Sequence, residues 1–203
     1  MSGGMWVVGL TGSIGMGKTT AADMLRRLGI PVFDADAAVR ALESRGGAAV
    51  PAIARAFPGL VREGALDREG LAKRAFENPA DLHKLEAIVH PFVHVAEAAF
   101  LRAARVRRAG IAVLEIPLLF ESGAERRCDV TLVVTAPRFV QAARVLKRPG
   151  MTGARFRAIL ARQMPDAEKR ARADFVVSTG MGRYPTLKAL GKIVRLLRQS
   201  KPR

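Results

Sequence analysis

Eight consecutive residues, Gly12-Ser13-Ile14-Gly15-Met16-Gly17-Lys18-Thr19, satisfy the pattern G-x-x-x-x-G-K-[ST] at every fixed position. Such a run grips a polyphosphate. Its glycines let successive backbone N–H groups turn toward phosphate oxygens with no Cβ in the way. A helix opening at the end of the loop adds its free N–H groups and the positive end of its dipole. Lys18 is placed to bridge the β- and γ-phosphates of ATP, and the Thr19 hydroxyl to ligate Mg²⁺.

Phosphate transfer to a hydroxyl needs two further things. A carboxylate must orient or deprotonate the acceptor, and cations must cover the moving charge. Asp34-Ala35-Asp36 offers two carboxylates. Alternation along an extended segment would point both the same way. Either could instead cap the helix that follows, and one residue could serve each purpose. Cations are plentiful between Arg144 and Arg172, where nine basic residues face only Asp166 and Glu168. Some belong on solvated helix faces. Forked arginine donors are also what a lid closing over ATP requires.

Two other runs stand out. His90-Pro91 lies among apolar neighbours, so His90 reads either as a packed, hydrogen-bonded residue or as a substrate contact. In Glu115-Ile116-Pro117-Leu118-Leu119-Phe120-Glu121, Pro117 should stop a strand and free the backbone beyond it to face a ligand. Leu118 and Leu119 could pack into the core at the same time.

These residues must be held by something. Trp6-Val7-Val8-Gly9-Leu10, Pro31-Val32-Phe33, Ile111 to Ile116, Val130 to Thr135 and Phe175-Val176-Val177 are short runs of the kind that form buried parallel strands. Thr19 to Leu28 and Tyr184 to Gln199 carry apolar residues at helical spacing. The alternation predicts an α/β fold with a mostly parallel five-stranded sheet. Asp36 to Gly110 reads as almost wholly helical, far more than a crossover needs, so a helical insertion beside the sheet is expected. A second helical segment, Arg138 to Ala173, separates the last two strands.

Composition narrows the classes. The chain has 203 residues, 49% hydrophobic and 26% charged, an ordinary globular balance. One cysteine, Cys128, excludes an internal disulfide framework and fits a cytoplasmic setting. No apolar run of about 18 residues predicts a membrane span. Lys and Arg total 34 against 18 acids, a net charge of +16, which favours polyanionic partners such as phosphorylated metabolites or nucleic acid. No zinc finger, RNP-type motif or basic patch interleaved with aromatics supports nucleic acid, and there is one Trp and one Tyr.

Several segments, in chain order, resemble landmarks of the dephospho-coenzyme A kinase family. They are the phosphate loop with its preceding strand, Leu28-Gly29-Ile30-Pro31-Val32-Phe33-Asp34-Ala35-Asp36, Leu66-Asp67-Arg68, Leu85-Glu86-Ala87-Ile88-Val89-His90-Pro91 and Pro117-Leu118-Leu119-Phe120-Glu121. Arg162-Gln163-Met164, Lys169-Arg170 and Ala173-Asp174-Phe175-Val176-Val177 complete the set. The loop alone is generic; D-A-D, H-P and P-L-L-F-E in this order are more specific.

The resemblance implies a P-loop kinase that uses ATP and Mg²⁺ to phosphorylate the ribose 3′-hydroxyl of dephospho-CoA, the last step of coenzyme A synthesis. It implies a nucleotide core (1–36, 111–137, 174–203), a helical substrate lobe (37–110) and a lid (138–173). Asp36 becomes the general base with Asp34 beside it, and Lys18 and Arg148 complete the catalytic set. Gly12, Ser13, Ile14, Gly15, Met16, Gly17, Lys18, Thr19, Thr20 and Arg148 would hold the nucleotide. Thr11, Asp36, His90, Pro117, Leu118, Leu119 and Glu121 would meet the substrate. No nucleic-acid or membrane partner is implied. Two positions depart from the family pattern: Met16 stands where serine is usual, and Ser178-Thr179-Gly180 where an asparagine is common. A related kinase acting on a nucleoside or nucleotide is the alternative, and a nucleotide-regulated nucleic-acid-binding module the third reading.

Overall fold

β-Branched and leucine-rich runs need two covered faces, and a sheet with helices on its faces supplies them. In the computed structural model, which describes residues 4–62 and 64–202, the chain begins with β1 (Trp6–Thr11), α1 (Lys18–Arg27) and β2 (Val32–Asp34). A mainly helical stretch follows: α2 (Ala35–Leu42), α3 (Val50–Ala56), the short strands β3 (Val61–Arg62) and β4 (Ala65–Leu66), α4 (Arg68–Glu77) and α5 (Pro79–Val106). The chain then makes β5 (Ile111–Glu115), a 3₁₀ turn (Ala124–Arg127), β6 (Val130–Thr135), α6 (Arg138–Leu146), α7 (Gly153–Ala161) and α8 (Asp166–Arg172). It ends with β7 (Phe175–Ser178) and α9 (Arg183–Gln199).

The main sheet has the order β2-β5-β1-β6-β7. β1 runs parallel to both of its neighbours, with Leu10 opposite Glu115 on one side and Thr11 opposite Val133 on the other; β6 and β7 are also parallel. Strand order therefore reverses around β1. In such sheets the crevice at the carboxyl end of the switch strand receives the ligand, and the glycine loop leaves β1 there. Val8, Leu10, Val113, Leu132 and Val134 form the core with Met24 and Leu25 of α1 and Leu190, Val194 and Leu197 of α9. Asp174 locks the entry of β7, its Oδ2 accepting from the N–H and the hydroxyl of Thr131 at 2.7 and 2.8 Å.

Packing divides the chain into two units, one of residues up to Phe33 with those from Ala103 onward, the other Asp34–Arg102. The second unit has its own core of Ala49, Ile53, Phe57, Leu71 and Val89, with Leu42, Leu85 and Phe92 packed against it. Arg74 and Lys84 lie over the Phe57 ring, 5.5 and 5.2 Å from its centroid. Among the described residues no helix is long and apolar enough to cross a membrane.

The stretch after β2 is mostly helical, interrupted by β3 and β4, which pair antiparallel with Val61 opposite Leu66. Two-residue strands are too short for a period of two to show in a sequence. One expectation is corrected: Asp34-Ala35-Asp36 is not an extended segment, because β2 ends at Asp34 and α2 begins at Ala35. The two carboxylates therefore do not share a strand face.

Candidate active site

The phosphate loop is built against β6 and the turn after β7. A Cβ on Gly12 would lie 2.7 Å from the Val134 carbonyl oxygen, so only glycine allows the loop to sit that close. Gly17 has φ 86°, a left-handed conformation that other residues rarely adopt, and directly precedes α1 without a capping side chain. The first-turn N–H groups of α1 thus have no side-chain acceptor in front of them, the arrangement that receives an anion.

Lys18 is the first residue of α1, and its Nζ lies 2.9 Å from Glu115 Oε1. Glu115 ends β5, the strand beside β1, and is only 2% exposed. Its second oxygen is buried without a hydrogen-bond partner, and Arg26 Nη2 stands 3.8 Å from it. The loop lysine is thus already held at the sheet edge by a buried carboxylate.

Two cavities flank the loop within the first unit. The smaller, about 300 Å³, is lined by Gly15, Gly17, Thr19, Thr20, Arg144, Arg148, Thr179 and Arg183, among others. It joins the loop's helix-facing residues to the basic segment, as a nucleotide site requires. The larger, about 850 Å³, meets only Ser13 and Met16 of the loop and is otherwise formed by α6, Leu160 of α7, the connection into α8, α8 itself, β7 and the end of β6. The smaller cavity meets four residues of 12–20 and the larger two, so contact with the loop does not follow size.

Ile14 is a special case within the loop. Its N–H donates to Gln163 Oε1 at 3.0 Å, and its carbonyl accepts from Gln141 Nε2 at 2.8 Å. Both of its backbone groups are thereby committed to the segment between β6 and β7. Met16 is buried, and its sulfur accepts from the Ala136 N–H at 3.0 Å. Thr19 and Thr20 are exposed, as is Arg148.

The Pro117–Glu121 segment divides into tie points and core. Thr11 is fully buried and donates its hydroxyl to the Pro117 carbonyl at 2.9 Å, so here it positions that turn. Leu119 is fully buried, whereas Leu118 is 42% exposed; of the pair expected in the core, only Leu119 packs there. Glu121 Oε1 accepts from the Met164 N–H at 2.9 Å. The same oxygen lies 2.8 Å from Nζ of Lys169, which is fully buried, so the two form a close ion pair. Glu121 thus anchors the segment that leads into β7.

In the second unit, the capping role falls to Asp34, whose Oδ1 accepts from the Ala37 N–H at 2.8 Å. Asp36 sits in the first turn of α2 and is exposed. His90 lies on α5, also exposed, its ring stacked on His94 with centroids 6.3 Å apart. It is therefore not a buried core histidine.

Sequence reasoning did not single out Glu115, Arg144, Gln141, Gln163, Lys169 or Thr179 for the site. Glu115 carried a usable signal, a lone acid closing the apolar run Ile111-Ala112-Val113-Leu114. Arg144 and Lys169 carried none that separates them from the other basic residues of their segment.

A phosphate loop at the switch strand of a parallel sheet, with a lysine at the start of the following helix, defines a P-loop kinase fold. Shikimate kinase from Acinetobacter baumannii in complex with shikimate shares that fold, with a TM-score of 0.53 and 17% identity over 96% of this chain and 94% of that one. A crystal structure of a Thermus thermophilus protein is nearer, with a TM-score of 0.81 and 39% identity, covering 95% of this chain and 97% of that one. The dephospho-CoA kinase family model matches residues 6–182. The dephospho-CoA kinase of Paramagnetospirillum magneticum is 59% identical over 198 residues, 98% of this chain and 93% of that protein. The chain belongs to the dephospho-CoA kinase family.

Proposed function

We propose that this protein transfers the γ-phosphoryl group of ATP to the ribose 3′-hydroxyl of dephospho-CoA, completing coenzyme A. The observation that carries the reading is the prepared loop, with Gly17 left-handed before α1 and Lys18 held 2.9 Å from Glu115, in a chain of this family. Residues 12–20 and Arg148 would hold the nucleotide, residues 37–110 would take the substrate, and residues 138–173 would act as a lid.

The donor set suits Mg²⁺. Hard oxygen ligands are what that ion takes, and Thr19 offers a hydroxyl while Glu115 keeps a buried oxygen with no hydrogen bond. Among the described residues no three acidic, histidine or cysteine side chains gather to hold a metal, so the nucleotide's own phosphates would complete the shell. Magnesium, when bound, neutralises charge on the transferring phosphate.

The chain's own residues divide the rest. Lys18 covers the β- and γ-phosphate oxygens with its ammonium group. Asp36, exposed and free of the capping duty that Asp34 performs, takes the proton of the 3′-hydroxyl. Arg148 adds positive charge at the phosphates and helps exclude water when the lid closes. His90 and the exposed Leu118 contact the acceptor.

The test is ADP release from Mg-ATP with and without dephospho-CoA, using adenosine and AMP as control acceptors. Release stimulated by dephospho-CoA alone is expected. Stimulation by a control acceptor alone would overturn the substrate, and none at all from folded protein would overturn the activity.

A further inference from the structure

The proposed phosphoryl transfer gives no role to Thr179, yet its hydroxyl sits where three segments meet. Thr179 is 5% exposed and follows β7 directly. Its Oγ1 accepts from Arg144 Nη1 at 2.9 Å and donates to the Met16 carbonyl at 2.8 Å. Arg144 Nη2 donates to the Thr179 carbonyl at 2.8 Å, and Nη1 also approaches the Gly15 carbonyl at 3.4 Å. The same Oγ1 lies 2.8 Å from where a Cβ on Gly17 would be. The phosphate loop, α6 and the turn after β7 are therefore joined through one side-chain oxygen.

The chemistry of that joint is restrictive. A guanidinium can only donate and a carbonyl can only accept, so one atom linking them must do both. A hydroxyl can; the isosteric valine cannot. With valine, the Met16 carbonyl and one Arg144 N–H would lose their shared partner in a largely buried place, the costly kind of loss. Arg144 would keep its bond to the Thr179 carbonyl but not its two-point orientation. Arg144 lines the 300 Å³ cavity beside Thr19, Thr20 and Arg148.

We infer that Thr179 is a positioning residue for the nucleotide: through Arg144 and the Met16 carbonyl it fixes the loop backbone and the Arg144 wall of the cavity before ATP arrives. The inference rests on the proposed use of ATP. It gives Arg144, docked on the loop, a role separate from that of the exposed Arg148.

The experiment measures affinity for a non-hydrolysable ATP analogue, together with KM for ATP and for dephospho-CoA. Thr179→Val should weaken analogue binding and raise KM for ATP about tenfold, the loss of one hydrogen bond to a charged group. KM for dephospho-CoA should stay within about twofold, and Thr179→Ser should restore wild-type affinity. In an Arg144→Met background, Thr179→Val should add little, because both act through the same link. Wild-type affinity in folded Thr179→Val overturns the inference, as do equal losses in Val and Ser or multiplying effects in the double variant. Should Thr179→Val not fold, Arg144→Lys decides. It keeps the charge and loses the fork, so about tenfold weaker binding is expected, and unchanged binding overturns the proposal. Wild-type protein that binds no ATP analogue would remove the proposed function as well. Wild-type protein that turns over dephospho-CoA with a KM for ATP no lower than that of Thr179→Val would remove only this inference.

Discussion

The two units of the molecule prepare their candidate residues in opposite ways. Around the phosphate loop, polar side chains are buried or half-buried and already paired: Lys18 with Glu115, Arg144 with Thr179, Gln163 and Gln141 with Ile14, Lys169 with Glu121. In the helical unit, Asp36 and His90 stand exposed on helices whose stability comes from an apolar core elsewhere. The first arrangement suits a ligand whose phosphates always demand the same geometry, since preorganised donors need no rearrangement on binding. The second leaves the proposed proton acceptor and substrate contact open to solvent. The lesson is that substitutions in the loop region should change stability and activity together, whereas those at the exposed positions should separate them.

Asp36→Asn should sharpen the contrast most. Turnover is expected to fall by about 10²–10⁴-fold, the usual worth of a general base, with the melting temperature and ATP affinity nearly unchanged. A variant that melts earlier and keeps its rate would make Asp36 a capping residue. Lys18→Ala should cost about 10²–10³-fold in turnover. Unlike Asp36→Asn it should also lower stability by about 1–3 kcal/mol, because Glu115 is left buried without its closest cation. Adding Glu115→Gln should recover stability but not turnover; chemical denaturation beside an ADP-release assay reads both.

Lys169→Met tests the anchoring side of the same region. Leaving Glu121 without its buried partner should cost about 3 kcal/mol, seen as an earlier denaturation midpoint, and Glu121→Leu in the same chain should recover most of it. In the helical unit Asp34→Ala should cost about 1 kcal/mol through the lost cap, and Asp34→Ser should restore it.

The smallest effect belongs to Glu43. Burial pushes its carboxyl above the ordinary 4.5, with the Arg68 charge pulling the other way. Between 4.5 and the raised value the folded state binds more protons than the unfolded one, so stability falls as pH rises through that window. Glu43→Gln should therefore melt slightly higher than wild type at neutral pH, with the difference vanishing below pH 4.5. A constant difference across that range would contradict it.

The sheet was legible because each buried strand carries a short apolar run, and the loop because its glycines and lysine are fixed by the phosphate they serve. Boundaries moved little: α1 runs from Lys18 to Arg27 and α9 from Arg183 to Gln199. The β3–β4 pair was not legible, being two residues per strand. Nor was the sharing of duties between Asp34 and Asp36, which depends on where β2 stops and α2 starts. The partners of Ile14, Met16 and Glu121 lie more than forty residues away along the chain, and only folding brings them in. Thr179 drew notice as a departure from the family pattern, but its bond to Arg144 needed the three-dimensional arrangement.

The central claim is that phosphate lands on the ribose 3′-hydroxyl of dephospho-CoA, and analysis of the product tests it most directly. The protein would be incubated with Mg-ATP and dephospho-CoA, and the product's mass and phosphorus NMR spectrum recorded. Coenzyme A, with one added phosphate as a 3′-monoester, is the predicted product. Phosphate at another position, or ATP consumed with dephospho-CoA left unchanged, would contradict it.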